Sequence, residues 1–291
     1  MPQTSHRLGA AALLLALAVP AGSARAQESR MVPVTVDGEH VRLEMRVYEP
    51  ANGAPAPTLV FNHGSTGWGT DPASFTRPLD FPEVARFFVA RGWAVVIPAR
   101  RGRGGSEGRD DEGFWPNRAL DYACDPALSV AGADRALRDI EAAMDAIVAM
   151  PFVDRARVVI GGQSRGGVLS VAYAGGHAPQ VRGVINFVGG WNGSRCQHAE
   201  TINQSLFVRG ARYPGETLWL YGDDDAFYPL SHGRANFAAF QNAGGRGSFH
   251  ELPPEFGGHY IWRRPDRWGP LVESYLKQLG RPSAANQTSA R

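Results

Sequence analysis

Residues 58–61, 94–97, 158–160, 184–188 and 218–221 are short, almost uninterrupted apolar runs. A strand that is apolar at every position has no face to offer to water, so it has to lie inside a sheet that is covered on both sides. Helical patterns at 82–91, 129–150, 167–174, 202–209 and 235–243 fall among these runs, and a strand at 248–252 and a helix at 267–279 continue the series. Strand and helix in alternation build an α/β fold, a mostly parallel central sheet with helices on both faces. The first two extended stretches behave differently. Residues 32–36 and 41–48 alternate apolar with polar positions and are separated by Asp37-Gly38, the pattern of an antiparallel hairpin at the edge of a sheet.

The chain has 291 residues, 43% of them hydrophobic, which suffices for one sizeable core. No stretch between the expected strands is long enough for a second domain, so no large lid domain is expected. At the N-terminus, His6 and Arg7 precede an apolar run at 8–19, then Pro20 and Ala24-Arg25-Ala26. This is the pattern of a cleavable secretory signal cut near Ala26, and it predicts an exported protein, periplasmic or secreted. The apolar run falls short of the roughly 20 residues that a spanning helix requires, so stable membrane insertion is not expected. Export also places Cys124 and Cys196 where a disulfide persists, and the two are expected to pair. Residues 281–291 are polar and without periodicity, which reads as a disordered tail.

Composition removes several functions. A formal charge of +2 gives no footprint for nucleic acid. Lys277 is the sole lysine and stands far from any glycine-rich loop, which excludes Schiff-base chemistry and a P-loop lysine. The glycine-rich stretch Gly102-Arg103-Gly104-Gly105-Ser106 would need glycine where Glu107 stands to read as G-x-G-x-x-G.

The chemistry concentrates at Val158-Val159-Ile160-Gly161-Gly162-Gln163-Ser164-Arg165-Gly166-Gly167. An apolar strand runs through G-x-S-x-G directly into a helix, the context that a nucleophile elbow requires. The turn is so sharp that side chains at 162 and 166 would strike neighbouring backbone. Its strain lifts the serine hydroxyl into the open. A serine at such a turn without catalytic partners would be no more than a helix N-cap. As a nucleophile it needs a base to take its proton and a third group to orient the base. Downstream, Asp223, Asp224 and Asp225 follow the strand at 218–221, and His232, His250 and His259 come later.

With these motifs the chain resembles the α/β-hydrolase superfamily and, within it, the dienelactone-hydrolase-like branch, over residues 41–279. The matching pieces are Asn62-His63-Gly64, Arg101-Gly102-Arg103-Gly104-Gly105-Ser106, Gly162-Gln163-Ser164-Arg165-Gly166-Gly167, Tyr221-Gly222-Asp223-Asp224-Asp225 and Gly258-His259. The resemblance implies a hydrolase domain over 27–280 and the chain order serine, acid, histidine. It favours Asp225 as the acid, with Asp223 in reserve, and His259, in a late glycine-hinged loop, as the base. It implies an oxyanion hole from the backbone N–H groups of Arg165 and Ser65, with His63 as a brace for that loop. It also implies a small-molecule ester as substrate, hydrolysed without cofactor or metal. Dienelactone hydrolases use cysteine as nucleophile; Ser164 moves the expectation from lactones toward general carboxylic esters. A serine peptidase or acyl-peptide hydrolase, and a catalytically silent binding fold, are the alternatives.

One of Arg100, Arg101, Arg103 and Arg165, with Arg103 as first candidate, is expected either to hold a substrate carboxylate or to form surface pairs with Glu107, Asp110 and Asp111. Among the loop tryptophans Trp68, Trp115 and Trp191, Trp191 is the candidate for the substrate pocket.

Overall fold

The structure, a computed structural model, describes residues 27–280 apart from 51, 52 and 68. The expected signal segment and C-terminal tail lie outside the described residues. The sheet opens with β1 (Glu28–Val36) and β2 (Glu39–Tyr48), an antiparallel pair in which Val36 faces Glu39. Asp37 and Gly38 between them have φ of 54° and 80°, so both central residues are left-handed, as the tightest hairpin turn requires.

β3 (Ala56–Asn62), β4 (Ala94–Pro98), β5 (Val153–Gln163), β6 (Gly183–Phe187), β7 (Thr217–Gly222) and β8 (Gly247–Leu252) complete eight strands in the order β1-β2-β4-β3-β5-β6-β7-β8. β2 runs antiparallel to β4, and all pairs from β4 to β8 are parallel. Every strand expected from the apolar runs is present. β4, β6 and β7 are buried along their whole length, as strands covered on both faces must be.

The helices are α1 (Pro72–Phe75), α2 (Pro82–Val89), α3 (Pro126–Val148), α4 (Arg165–Gly176), α5 (Ala199–Phe207), α6 (Leu230–Asn242) and α7 (Pro265–Leu279). α2 and α7 pack on each other, and α3, α4, α5 and α6 contact one another in sequence. α3 starts three residues before its apolar periodicity because Asp125 accepts the N–H of Leu128 and Pro126 needs no N–H partner. Between α2 and α7, Phe87 and Trp268 meet edge to face, and Trp268 also meets Phe187 of β6. The short helix α1 escapes sequence periodicity because four residues make barely one turn.

The parallel strands all end on one side, so the loops after β3, β5, β6, β7 and β8 converge there. In an open α/β sheet that is where ligands are held. No lid domain interrupts the sheet; the long loop from 99 to 125 carries one short 3-10 turn, Arg118–Leu120. Among the described residues no helix is long and apolar enough to cross a membrane.

Candidate active site

Ser164 stands between β5 and α4 with φ 57° and ψ −122°, a conformation that L-residues rarely adopt. Its N–H donates to Phe187 O at 3.0 Å, and its own carbonyl accepts from Gly167 and Gly190. The two motif glycines are required by space. A Cβ on Gly162 would lie 2.5 Å from Asn62 O, and one on Gly166 would strike the same carbonyl harder. The elbow is thus pressed against the end of β3, which fixes its distance from the loop after that strand.

Asp225 follows β7 and is 3% exposed. Its Oδ1 accepts two backbone N–H groups, Phe227 at 2.7 Å and Tyr228 at 3.0 Å, which leaves Oδ2 for His259 Nδ1 at 2.9 Å. A carboxylate only accepts, so His259 carries its proton on Nδ1 and presents a bare Nε2. Gly258, with φ 70°, makes this approach possible, since a Cβ there would lie 2.7 Å from Asp225 N. Asp223, by contrast, is exposed and turns back on the N–H of Asp224. His232 bonds Asn203 at 2.8 Å and His250 bonds Ser248 at 3.1 Å, both away from the elbow.

Sequence reasoning missed the group that faces the bare nitrogen. The amide Nε2 of Gln163 donates to His259 Nε2 at 2.8 Å, in the place a serine proton would take. Ser164 instead neighbours the hydroxyl of Tyr228, a buried phenol whose pKa is pushed up by burial. The motif position before the serine is written as any residue, so the spacing carried no signal for Gln163. Tyr228 had one, three residues beyond Asp225 on the same turn.

Ser65, Gln163, Ser164, Arg165, Trp191, Tyr228 and His259 line one cavity of about 690 Å³ at the ends of the strands. Among the described residues the N–H groups of Ser65 and Arg165 meet no acceptor. His63 braces the Ser65 loop: its Nε2 accepts Arg100 N at 3.1 Å and its Nδ1–H donates to Gly64 O at 2.8 Å. Burial and the adjacent Arg100 hold its pKa well below the ordinary imidazole value. Both ring nitrogens are occupied, so His63 has no free base to offer.

Among the arginines, the structure overturns the first candidate chosen from the sequence, Arg103, while Arg165 does line the cavity. Arg103 is fully buried, with its guanidinium 4.5 Å from the Phe75 ring and 3.5 Å from Glu112, and it does not line the cavity. It cannot reach a substrate there. Surface pairing holds only in part: Glu107 goes to Arg42, Asp110 stands 3.8 Å from Arg103, and the buried partner of the cluster is Glu112. Arg100 Nε binds Glu112 Oε1 at 2.6 Å while its Nη atoms donate to the carbonyls of His63 and Gly64. Arg101 clamps Asp139 of α3 at 2.6 Å and Asp37 of the hairpin at 2.7 Å. Burial alone would raise the Glu112 pKa, but Arg100 and Arg103 outweigh it and hold it well below the usual 4.5.

Cys124 and Cys196 are joined by a disulfide, as expected, and both line the cavity. The bridge ties the loop that carries Tyr122 to the loop that carries Trp191. Trp115 does not line the cavity, and Trp68 lies outside the described residues.

The sheet order, the antiparallel second strand and the strained serine elbow define an α/β-hydrolase. Residues 37–210 match the family model of the X-Pro dipeptidyl-peptidases (S15 family), and the chain belongs to that family. The match includes Ser164; Asp225 and His259 lie beyond it. Among solved structures, an acetyl xylan esterase from Paenibacillus sp. R4 is similar at 17% identity and a TM-score of 0.61, over 88% of this chain and 89% of that one. Est1E from Butyrivibrio proteoclasticus, with ferulic acid bound, is similar at 16% identity and a TM-score of 0.56, over 84% of this chain and 96% of that one. Acetyl xylan esterase 1 from Thermoanaerobacterium sp. JW/SL YS485 is similar at 20% identity and a TM-score of 0.54, over 88% of each chain. Identities this low speak for the fold alone.

Proposed function

We propose that the protein is a serine hydrolase that cleaves small carboxylic esters or lactones through an acyl-enzyme. The observation that carries this reading is the buried Asp225–His259 pair, whose bare Nε2 points at the elbow that holds Ser164. In this reading Gln163 first releases Nε2. Ser164 Oγ then attacks the substrate carbonyl while its proton passes to His259 Nε2, and Asp225 stabilises the imidazolium that forms. The N–H groups of Ser65 and Arg165 receive the oxyanion. The C–O bond to the alcohol breaks as His259 returns the proton to it. Water, deprotonated by His259, attacks the acyl carbon and frees the acid and Ser164.

The motifs shared with dienelactone hydrolases support the lactone side of this reading, with Ser164 in the place of their cysteine. The acetyl xylan esterase names among the structural neighbours support the ester side. Membership of the S15 family favours a second reading, a serine peptidase that uses the same three residues on an amide. We further propose that residues 27–280 form one hydrolase domain, exported behind a signal segment cut near Ala26 and followed by a tail at 281–291. The disulfide supports an oxidising compartment.

The test is pre-steady-state turnover of 4-nitrophenyl butyrate by the wild type and by Ser164→Ala. The expected result is a burst close to one equivalent of nitrophenol, and a variant that folds but loses at least about 10⁴-fold in kcat. A variant that keeps its activity overturns the assignment.

A further inference from the structure

Charge in and under the cavity is unbalanced. Its lining holds Arg77, Arg165 and Arg195 against a single carboxylate, Asp121, whose Oδ1 already accepts the N–H of Gly69 at 2.9 Å. Among the described residues neither Arg77 nor Arg195 has a carboxylate within ion-pair distance. Beneath the floor, Glu112 alone serves three guanidiniums, those of Arg100 at 2.6 Å, Arg103 at 3.5 Å and Arg165 at 3.8 Å. Asp110, the next carboxylate, is 3.8 Å from Arg103 and is shared with Arg118 at 2.5 Å. A cleft whose lining carries an excess of one sign of charge focuses its field on whatever enters.

Arg165 is the built part of this arrangement. It is 3% exposed, with its guanidinium carbon 3.6 Å from the Tyr122 ring centre and 4.1 Å from that of Trp191. Nε donates to Trp191 O at 3.0 Å and Nη1 to Glu112 O at 2.9 Å. Nη2 makes no hydrogen bond among the described residues, and it is not one of the fully enclosed nitrogens, so it stays accessible to a ligand. The two flanking rings belong to loops that the disulfide joins, so the side chain is locked in place with one donor unspent. That donor sits on the residue next to the nucleophile, and both residues line the same cavity.

We propose that the cavity takes esters whose acyl part carries a carboxylate, half-esters of dicarboxylic acids, with that carboxylate bound by Arg165 Nη2 and drawn in by Arg195. The inference rests on the serine-esterase reading above. It also separates this chain from the activity named for its family. A peptidase that removes dipeptides from a free amino end has to seat an ammonium, which calls for carboxylates, and the lining presents the opposite charge.

The experiment compares mono-4-nitrophenyl glutarate with 4-nitrophenyl valerate, acyl chains of equal length that differ in the terminal carboxylate. At low salt the wild type is expected to favour the glutarate in kcat/KM by about tenfold or more, and the preference is expected to shrink as salt screens the field. Arg195→Glu, an exposed position where folding is not at stake, is expected to lower the glutarate-to-valerate ratio about tenfold, through KM. Arg165→Gln, checked by its melting curve, is expected to lower the same ratio at least as far. A wild-type ratio of one or below, with valerate turned over normally, overturns the proposal and leaves the esterase reading standing. A ratio that Arg195→Glu and Arg165→Gln both leave unmoved also overturns it. If neither ester is turned over and a fluorophosphonate leaves Ser164 unlabelled, the esterase reading fails and the proposal falls with it.

Discussion

The elbow at 161–167 and the arginine loop at 100–112 are both rich in glycine, follow core strands and press against the loop after β3. One was readable from sequence and the other was not. The elbow is a backbone device. Its strand, its two collisions at Asn62 O and its helix start depend on which positions lack a Cβ, and that is written residue by residue. The arginine loop works through side chains that meet carboxylates from other parts of the chain, Asp139 on α3 and Asp37 in the hairpin. The proposed mechanism draws on both. The elbow places Ser164, and Arg100 holds the carbonyls of His63 and Gly64 in the loop that carries Ser65.

The sharpest way to break this division lies in the acid. Asp225→Asn is expected to cost about 10⁴-fold in kcat while the fold survives, because an amide in place of Oδ2 no longer fixes the Nδ1–H tautomer of His259. Asp223→Asn, on the same turn, is expected to change kcat by less than about twofold, since its carboxylate faces solvent. Steady-state kinetics on both variants checks this, and equal losses would remove Asp225 from its place.

In the arginine loop the expected effect falls on stability. Glu112→Gln leaves three buried guanidiniums without their shared countercharge and is expected to cost about 3–5 kcal/mol in urea unfolding at neutral pH. The pH dependence sharpens this. The folded-state pKa of Glu112 lies below the usual 4.5, so between the two values the unfolded chain binds more protons and stability rises with pH. The gap between wild type and variant is therefore fully present above about 4.5 and closes as pH falls through the folded-state value. A constant gap across that range would mean that Glu112 is not the countercharge.

Much of the fold was legible for the same reason as the elbow. Seven of the eight strands announced themselves as apolar runs or alternation, and Asp37-Gly38 marked its own turn. The choice of Asp225 and His259 came from the resemblance to the α/β-hydrolases, which implied the chain order serine, acid, histidine, and not from a local pattern. Glu112 was not legible: it stands beside Asp110 and Asp111, and nothing local tells which of three neighbouring acids turns inward. Arg103 was misread on the same ground, as a loop arginine that the tertiary structure buries. Arg77 and Arg195 bear no local mark, because a cavity rim assembles from loops distant in sequence.

A modest effect is expected at Gln163, which lies between the two cases, a side chain set by the elbow but competing with it. If its amide holds the resting base, Gln163→Ala frees Nε2 for Ser164 and raises the rate of phosphonylation by about fivefold, the equivalent of one hydrogen bond near 1 kcal/mol. A slower variant would instead make the amide a support for the imidazole.

The most direct test of the account is to treat the wild type, Ser164→Ala and His259→Ala with a fluorophosphonate and map the adduct by peptide mass spectrometry. The account predicts one adduct per wild-type chain, on Ser164, none in Ser164→Ala and labelling slowed by orders of magnitude in His259→Ala. An adduct on another residue, or labelling of Ser164 at the same rate without His259, would contradict it.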